Sequence, residues 1–342
     1  MEHEALLEEY TARIEEQLAP CLKVLSMEGK KYHPFIGEVY EAVGEFILRK
    51  GKRLASGSTL MIYRGYAGEL DERILKVGLG VELYRHGILI HDDLVDRDEY
   101  RRGGKTFHGI FGKDERYGDG MALFAGNLLF SLALKSILDS GFSLNKIRDV
   151  ADLFAGDYIA VNESQILDLD FEYRRPDEKE WYVMASKRAS SLFHATILTG
   201  AILGGASRRD LGLLEEASHN IGYSFDIQDD IIGTFASEEQ YGRPAGEDLA
   251  YWKKPLHMVY ALKLAKDEEV REIEKAIGNT GEVERLREII RTSGALDKAK
   301  EKSRKHAARA VELISQTGLD QPTKDFFSSF IEYVAGSLDW YR

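Results

Sequence analysis

The residues with the clearest chemical potential are carboxylates at helical spacing. Asp92 and Asp96, in the segment His91-Asp92-Asp93-Leu94-Val95-Asp96, are four residues apart at the end of an apolar run, which puts both side chains on one helix face a turn apart. Like charges at that spacing repel unless a cation neutralises them. An all-oxygen donor set with no clustered Cys or His favours Mg²⁺ over zinc. An isolated Asp-Asp-x-x-Asp is as often a solvated helix end as a metal site. A second group changes that weighing: Asp226, Asp229 and Asp230 share one face of the run Ile221 to Ile232, among Phe, Tyr and Ile. Carboxylates in apolar surroundings carry a heavy desolvation cost without partners, so two such groups point to paired metal sites.

Cations accompany both groups. Gly51-Lys52-Arg53 precedes the first, Arg101-Arg102-Gly103-Gly104 follows it directly, Lys187 and Arg188 lie in an otherwise apolar helix, and Arg243, Lys253 and Lys254 follow the second. Paired arginines offer planar donor forks that match phosphate oxygens. Any one of these is commonly surface decoration, but their recurrence beside each acidic group points to a phosphate ligand.

The elements that must hold these residues are helical. Only six prolines occur in 342 residues, and apolar residues recur at i, i+3, i+4 and i+7, as in Leu6, Leu7, Tyr10, Ile14 and Leu18, so the periodicity predicts an all-α chain without a sheet. Helices are expected over 3–27, 34–50, 53–67, 71–98, 119–139, 144–170, 177–204, 208–235, 253–276, 281–293, 295–317 and 322–340. Loops fall at Arg101 to Gly104, Glu239 to Asp248 and Gly278 to Gly281. No linker, repeat or low-complexity tract interrupts them, so one domain of packed long helices over 1–342 is the simplest architecture.

Composition narrows the function classes. A net charge of −12 argues against a general nucleic-acid role, because backbone affinity comes from clustered Lys and Arg. It leaves phosphate ligands open, since divalent metal can bridge them to carboxylates. The lone Cys21 excludes an internal disulfide and fits a reducing compartment. The N-terminus Met1-Glu2-His3-Glu4 lacks an apolar signal core. The longest apolar stretch is read as Ala195 to Ala206, short of the ~20 residues needed to span a bilayer. A cytoplasmic protein is expected.

From about Lys50 to Lys254 the chain resembles the trans-type polyprenyl (isoprenyl) diphosphate synthase family, and within it the archaeal-like geranylgeranyl and farnesyl diphosphate synthases. Gly51-Lys52-Arg53 resembles the family's Gly-Lys-x-x-Arg element. His91 to Asp96 with Arg101-Arg102-Gly103 and Thr106-x-His108 resembles its first Asp-rich motif, and Gln165-x-x-Asp168 its Gly-Gln-x-x-Asp element. Lys187 is matched to a Lys-Thr pair, and Phe225-x-Ile227-x-Asp229-Asp230, with Gly242-Arg243 and Lys253, resembles the second Asp-rich motif.

The resemblance implies an isoprenoid-synthase-type bundle of about a dozen helices around a central cavity, usually a homodimer, and a Mg²⁺-dependent prenyltransferase with about three Mg²⁺ per active site. Asp92, Asp96 and Asp229, with Asp230, would hold metal. Arg101, Lys187, Lys253 and Arg243 would grip an allylic diphosphate, with Gln165 and Asp226 beside it, and Lys52, Arg53 and Arg102 would bind isopentenyl diphosphate. Metal and fixed cations stabilise the departing diphosphate, while apolar walls keep water from the allylic cation until the isopentenyl double bond attacks.

Some positions depart from the family pattern. The arginine of Gly-Lys-x-x-Arg is Ala55, and the His or Gln usual seven residues before Asp92 is Arg85, which the reading treats as a replacement guanidinium. The last aspartate of the second motif is Gly233, and its usual Gln is Asp226, which would either take a metal or face the allylic cation from deeper in the cavity. Product length in such enzymes is set below the first motif, here at Tyr84, Gly87 and Ile88; Gly87 is read as leaving room and Tyr84 as the floor, for a C20 product with C15 or C25 as alternatives. Two other readings compete: a terpene cyclase-like ionising enzyme on the same fold, and a non-catalytic partner subunit of a prenyl synthase.

Overall fold

Apolar residues at helical spacing form fifteen α-helices among the described residues of the computed structural model, which are 2–49, 51–188, 192–237, 246, 249, 253–276 and 280–337. In chain order these are α1 (Glu2–Tyr32), α2 (Pro34–Leu48), α3 (Leu54–Ala67), α4 (Glu72–Val95), α5 (Phe107–Ile110), α6 (Glu115–Leu138), α7 (Leu144–Glu172), α8 (Glu178–Arg188), α9 (Phe193–Gly204), α10 (Arg208–Phe235), α11 (Leu256–Leu264), α12 (Asp267–Ala276), α13 (Val283–Thr292), α14 (Ala295–Ser315) and α15 (Gln321–Gly336). The expected all-α class holds. The chain divides into two compact units, Met1–Phe154 with Leu198–Ala206, and Ala155–Ile197 with Ser207–Arg342.

The first unit is organised by α4. Asp71 caps its N-terminus, accepting from the amides of Arg73 at 2.9 Å and Ile74 at 3.1 Å, which satisfies donors that a helix start leaves open. Leu75, Val77, Leu79, Val81, Leu83, Ile88 and Ile90 are all buried, as expected of a helix packed on every side. α6 crosses it closely: a Cβ on Gly80 would meet Ala133 O at 2.9 Å, and one on Gly87 would meet Gly126 O at 3.1 Å. α4 ends at Val95, three residues before the expected stop, because Arg97 takes a left-handed φ of 59° that cannot continue a right-handed helix.

The expectation of no sheet is corrected on a small scale. Tyr100–Arg101 pairs antiparallel with Gly104–Lys105. Arg102 (φ 51°) and Gly103 (φ 77°) form its two-residue turn, and positive φ at both turn positions matches the right-handed twist of a hairpin. A second correction concerns α6, which at 24 residues is long and apolar enough to cross a membrane by length and composition alone; Ala195 to Ala206 is not the longest apolar helix. α6 leaves Leu123, Phe124, Leu128 and Leu138 exposed.

The second unit is built on α10, capped by Ser207 Oγ accepting from the Asp210 amide at 3.1 Å. Its core gathers Trp181, Met184, Ile227, Ile231, Leu256, Tyr260, Ile289, Ile290 and Ala299, with a buried Ser224–Ser303 hydroxyl contact of 3.0 Å tying α10 to α14. Two expected helices are each divided. The run 177–204 supplies α8 and α9, and 253–276 supplies α11 and α12, separated at Ala265, whose extended ψ of 160° ends α11.

Candidate active site

In the first unit the acidic segment is folded against the hairpin that follows it. Asp92 is partly exposed on the last turn of α4, and Asp96 is its C-cap, its amide donating to Asp92 O at 2.8 Å. Asp93 points the other way and is wholly buried. Its Oδ1 accepts from Arg101 Nε at 2.5 Å, while its Oδ2 is buried without a hydrogen-bond partner. Burial pushes the Asp93 carboxyl up to about 6, against the pull of Arg101. Arg101 also reaches Asp98 at 3.1 Å and Asp92 at 3.8 Å. Burial works to lower its pKa, but Asp93, Asp92 and Asp98 together hold it above the ordinary arginine range.

The next residue turns to a different environment. Arg102 Nη1 lies 3.3 Å from His86 Nε2, and Gly51 lies so close to its guanidinium that a Cβ there would stand 2.7 Å from Cζ. Burial, then Arg85, Arg53 and Arg101 against the single carboxylate Glu82, push Arg102 down to about 10. Glu82 is fully buried and accepts from Ser56 Oγ at 2.7 Å and Arg53 Nη1 at 3.2 Å. Burial alone would raise its pKa; His86, Arg53, Ser56 and Arg102 outweigh that and hold it low. Arg102 is thus crowded by other guanidiniums, an arrangement of donors suited to an added anion.

Several expectations change here. Arg53 is not available to substrate: its side chain is 1% exposed and is committed to Glu82 and Glu15, both at 3.2 Å. It joins α1, the start of α3 and α4. Lys52 stays partly exposed on the loop before it, and Arg85 is half-buried on α4. Nor does Gly87 leave room, because α6 backbone occupies the space beside it. Tyr84 is buried, 4.7 Å from the Phe154 ring and 6.2 Å from Phe130, and Ile88 is buried one turn on.

In the second unit Arg188 is the centre. It donates Nε to Asp226 at 3.1 Å and Nη2 to Asp230 at 3.4 Å, with Asp168 at 3.9 Å. Burial alone would lower its pKa, but Asp226, Asp230 and Asp168 hold it well above the usual range. Of the two adjacent cations it is Arg188, not the expected Lys187, that faces the second acidic group. Lys187 Nζ bonds Glu163 on an outer face, 47% exposed. Position in the helix, which the sequence pattern did not resolve at this boundary, decides between the two.

Asp229 and Gln165 are half-buried. Lys253 and Lys254 both act on Glu172, whose carboxyl is raised by burial and by Asp168 before the lysines lower it. Lys254 is 4% exposed, with Nζ 3.4 Å from Glu172 O, so it joins this cluster beside the partly buried Lys253. Arg243 lies outside the described residues. Sequence reasoning missed Asp93, Glu82 and His86 as positioning groups; the available signal was a run of polar residues, at 82, 85, 86, 92 and 93, inside an otherwise apolar helix.

Half-buried carboxylates beside fixed guanidiniums in each unit are a donor set suited to a hard divalent metal and a phosphate ligand. The comparisons identify the family. Residues 37–293 match the Polyprenyl synthetase family. The geranylgeranyl diphosphate synthase of Sulfolobus acidocaldarius is 31% identical over 288 residues, covering 82% of this chain and 85% of that one. The geranylfarnesyl diphosphate synthase of Aeropyrum pernix is 31% identical over 290 residues, covering 83% and 89%. Among solved structures, a Corynebacterium glutamicum geranylgeranyl pyrophosphate synthase complexed with isoprenyl diphosphate and magnesium superposes with a TM-score of 0.90 at 21% identity, covering 98% of this chain and 99% of that one. The chain belongs to the polyprenyl synthetase family and is a prenyltransferase.

Proposed function

We propose that the protein condenses isopentenyl diphosphate with an allylic diphosphate (dimethylallyl, geranyl or farnesyl) to a trans-prenyl diphosphate, in a Mg²⁺-dependent head-to-tail reaction whose main product is C20. One observation carries this reading. Adjacent arginines on one hairpin serve different partners, Arg101 the carboxylates of the first acidic segment and Arg102 the Glu82–His86 cluster. An ionising diphosphate needs the first kind of cation, and a second, non-ionising diphosphate needs the other.

The donor chemistry fits Mg²⁺: the groups present are carboxylates, and Asp93 Oδ2 is a buried oxygen without a partner just behind Asp92. Asp92, Asp96 and Asp229 are the proposed ligands, with Asp230 tied to Arg188. When bound, Mg²⁺ would neutralise the charge that develops on the leaving diphosphate. Asp93 fixes the Arg101 guanidinium so that its donors need no reorganisation during ionisation. Arg188, Lys253 and Lys254 supply positive charge in the second unit. Lys52, Arg85 and Arg102 would hold isopentenyl diphosphate, Arg85 standing in for the guanidinium absent at Ala55.

Tyr84 remains the proposed floor for the growing chain, braced by Phe154; Tyr84→Ala should lengthen the product by at least one isoprene unit. Exposed Leu123, Phe124 and Leu128 on α6 suit a second copy of the chain, and we propose a cytoplasmic homodimer. The decisive experiment incubates purified protein with Mg²⁺, labelled isopentenyl diphosphate and C5, C10 or C15 allylic diphosphates in turn. Label in a C20 chain is expected. No label in any longer chain would overturn elongation, and hydrocarbon released without isopentenyl diphosphate would favour a cyclase.

A further inference from the structure

Away from these groups, the second unit brings together three side chains of metal-binding type. His194 at the start of α9, and Glu215 and His219 one turn apart on α10, each offer a ligand atom, and the three atoms lie within 4.8 Å of one another. The two imidazoles are stacked, with centroids 5.1 Å apart. A second observation bears on His194 independently. Its Nδ1 is 2.9 Å from both oxygens of Asp157, a buried carboxylate on α7, while its Nε2 is buried without a hydrogen-bond partner.

A carboxylate that accepts from Nδ1–H fixes the tautomer in which Nε2 keeps its lone pair, and raises its basicity. That is the usual support behind a metal-ligating histidine. We propose that His194 Nε2, Glu215 and His219 form a site for a divalent transition metal of the zinc class, with Asp157 orienting His194. Two imidazoles and one carboxylate suit Zn²⁺ and its neighbours rather than Mg²⁺. Ligand atoms in a tetrahedral zinc sphere lie roughly 3.3 Å apart, so the three must close by about 1.5 Å at most, within the reach of side-chain rotation at an exposed Glu215. Three protein ligands leave the fourth position to water. An ion here would staple α9 to α10 two turns before Asp226, where Phe193 already packs on Phe225 with centroids 5.1 Å apart.

The test uses tag-free, metal-stripped full-length protein with Mg²⁺ in excess, so that hard-oxygen sites are filled, and it needs no turnover. Co²⁺ is titrated in as a spectroscopic probe and then displaced by Zn²⁺. One equivalent with the intense visible bands of low-coordinate Co²⁺ is expected. Asp157→Asn should weaken binding roughly 10- to 100-fold, and His219→Ala and the solvent-facing Glu215→Gln should weaken it more. Absence of the bands, or bands unchanged in Glu215→Gln and His219→Ala, would overturn the site. Circular dichroism of each variant establishes that the fold is kept.

Discussion

The two acidic regions distribute charge in opposite ways. Around Arg102 the guanidiniums of Arg85, Arg53 and Arg101 oppose its charge while buried Glu82 supports it, and Arg53 and Arg101 carry further carboxylate partners in Glu15, Asp93 and Asp98. Around Arg188 three carboxylates, Asp168, Asp226 and Asp230, face one guanidinium. Arg102 is a guanidinium crowded by like charge, which an added anion would relieve, whereas Arg188 is one held by opposite charge. The contrast also explains why net charge is uninformative at this scale: a chain of −12 still crowds one guanidinium with others.

The largest expected effect comes from removing the guanidinium at the centre of the carboxylate-rich region. Arg188→Ala should lower the rate of isopentenyl diphosphate incorporation about 10²- to 10³-fold, the scale of losing one preorganised charge donor. It should also lower the melting temperature in the absence of Mg²⁺, with partial recovery when Mg²⁺ replaces the lost charge. Lys187→Ala, which removes a pairing with exposed Glu163, should stay within a few-fold of the parent rate. Equal losses in the two variants would break the assignment of Arg188 as the centre of the second region.

That one-residue question shows what the sequence could and could not carry. Helical class was legible because burial repeats every three to four residues along α1 and α10. The acidic residues were legible because Asp92, Asp96, Asp226 and Asp230 sit at helical spacing. Rotation at a helix end was not legible: Lys187 and Arg188 are adjacent cations, and only the three-dimensional face separates them. Arg53 was misread because a glycine-lysine-arginine run looks like a free cationic loop until Glu15 and Glu82, 38 and 29 residues away, are seen to take its donors. Gly87 was misread for a related reason. A glycine on a core helix can leave a cavity or admit a neighbouring backbone, and α6 decides for the second. The Arg102-Gly103 hairpin was called a loop because two-residue strands carry no periodicity.

A smaller effect tests the cation-rich region. Arg102→Ala and Arg85→Ala should each raise the KM for isopentenyl diphosphate about 10- to 100-fold, the value of a charge-assisted hydrogen bond or two. The KM for the allylic substrate should stay within about two-fold, as expected when the lost contact serves only one substrate. Steady-state kinetics with one substrate saturating separates the two. If Arg85→Ala leaves the isopentenyl KM unchanged, Arg85 does not replace the guanidinium missing at Ala55. If both variants raise the allylic KM instead, the division of labour between Arg101 and Arg102 fails.

The smallest effect compares the regions through their buried histidines. Burial, aided by Arg102 and opposed by Glu82, holds His86 down at about 4, and burial alone holds His257 at about 3. Both are neutral in the fold at pH 7, whereas an unfolded histidine protonates near 6.5. The unfolded state therefore binds more protons between pH 6.5 and about 4, so stability is complete above pH 6.5 and falls as the pH drops toward 4. Between pH 6.5 and 5 each histidine should contribute a loss of about 2 kcal/mol, measured as the shift of a urea midpoint. His257→Gln should remove its share of that slope while leaving the isopentenyl KM alone. Arg102→Ala should flatten the His86 share, because one cation that opposes its protonation is gone, and should leave the His257 share intact. An acid slope unaffected by either change would mean that neither histidine is held neutral by its surroundings, and the electrostatic account of the Arg102 cluster would lose its support.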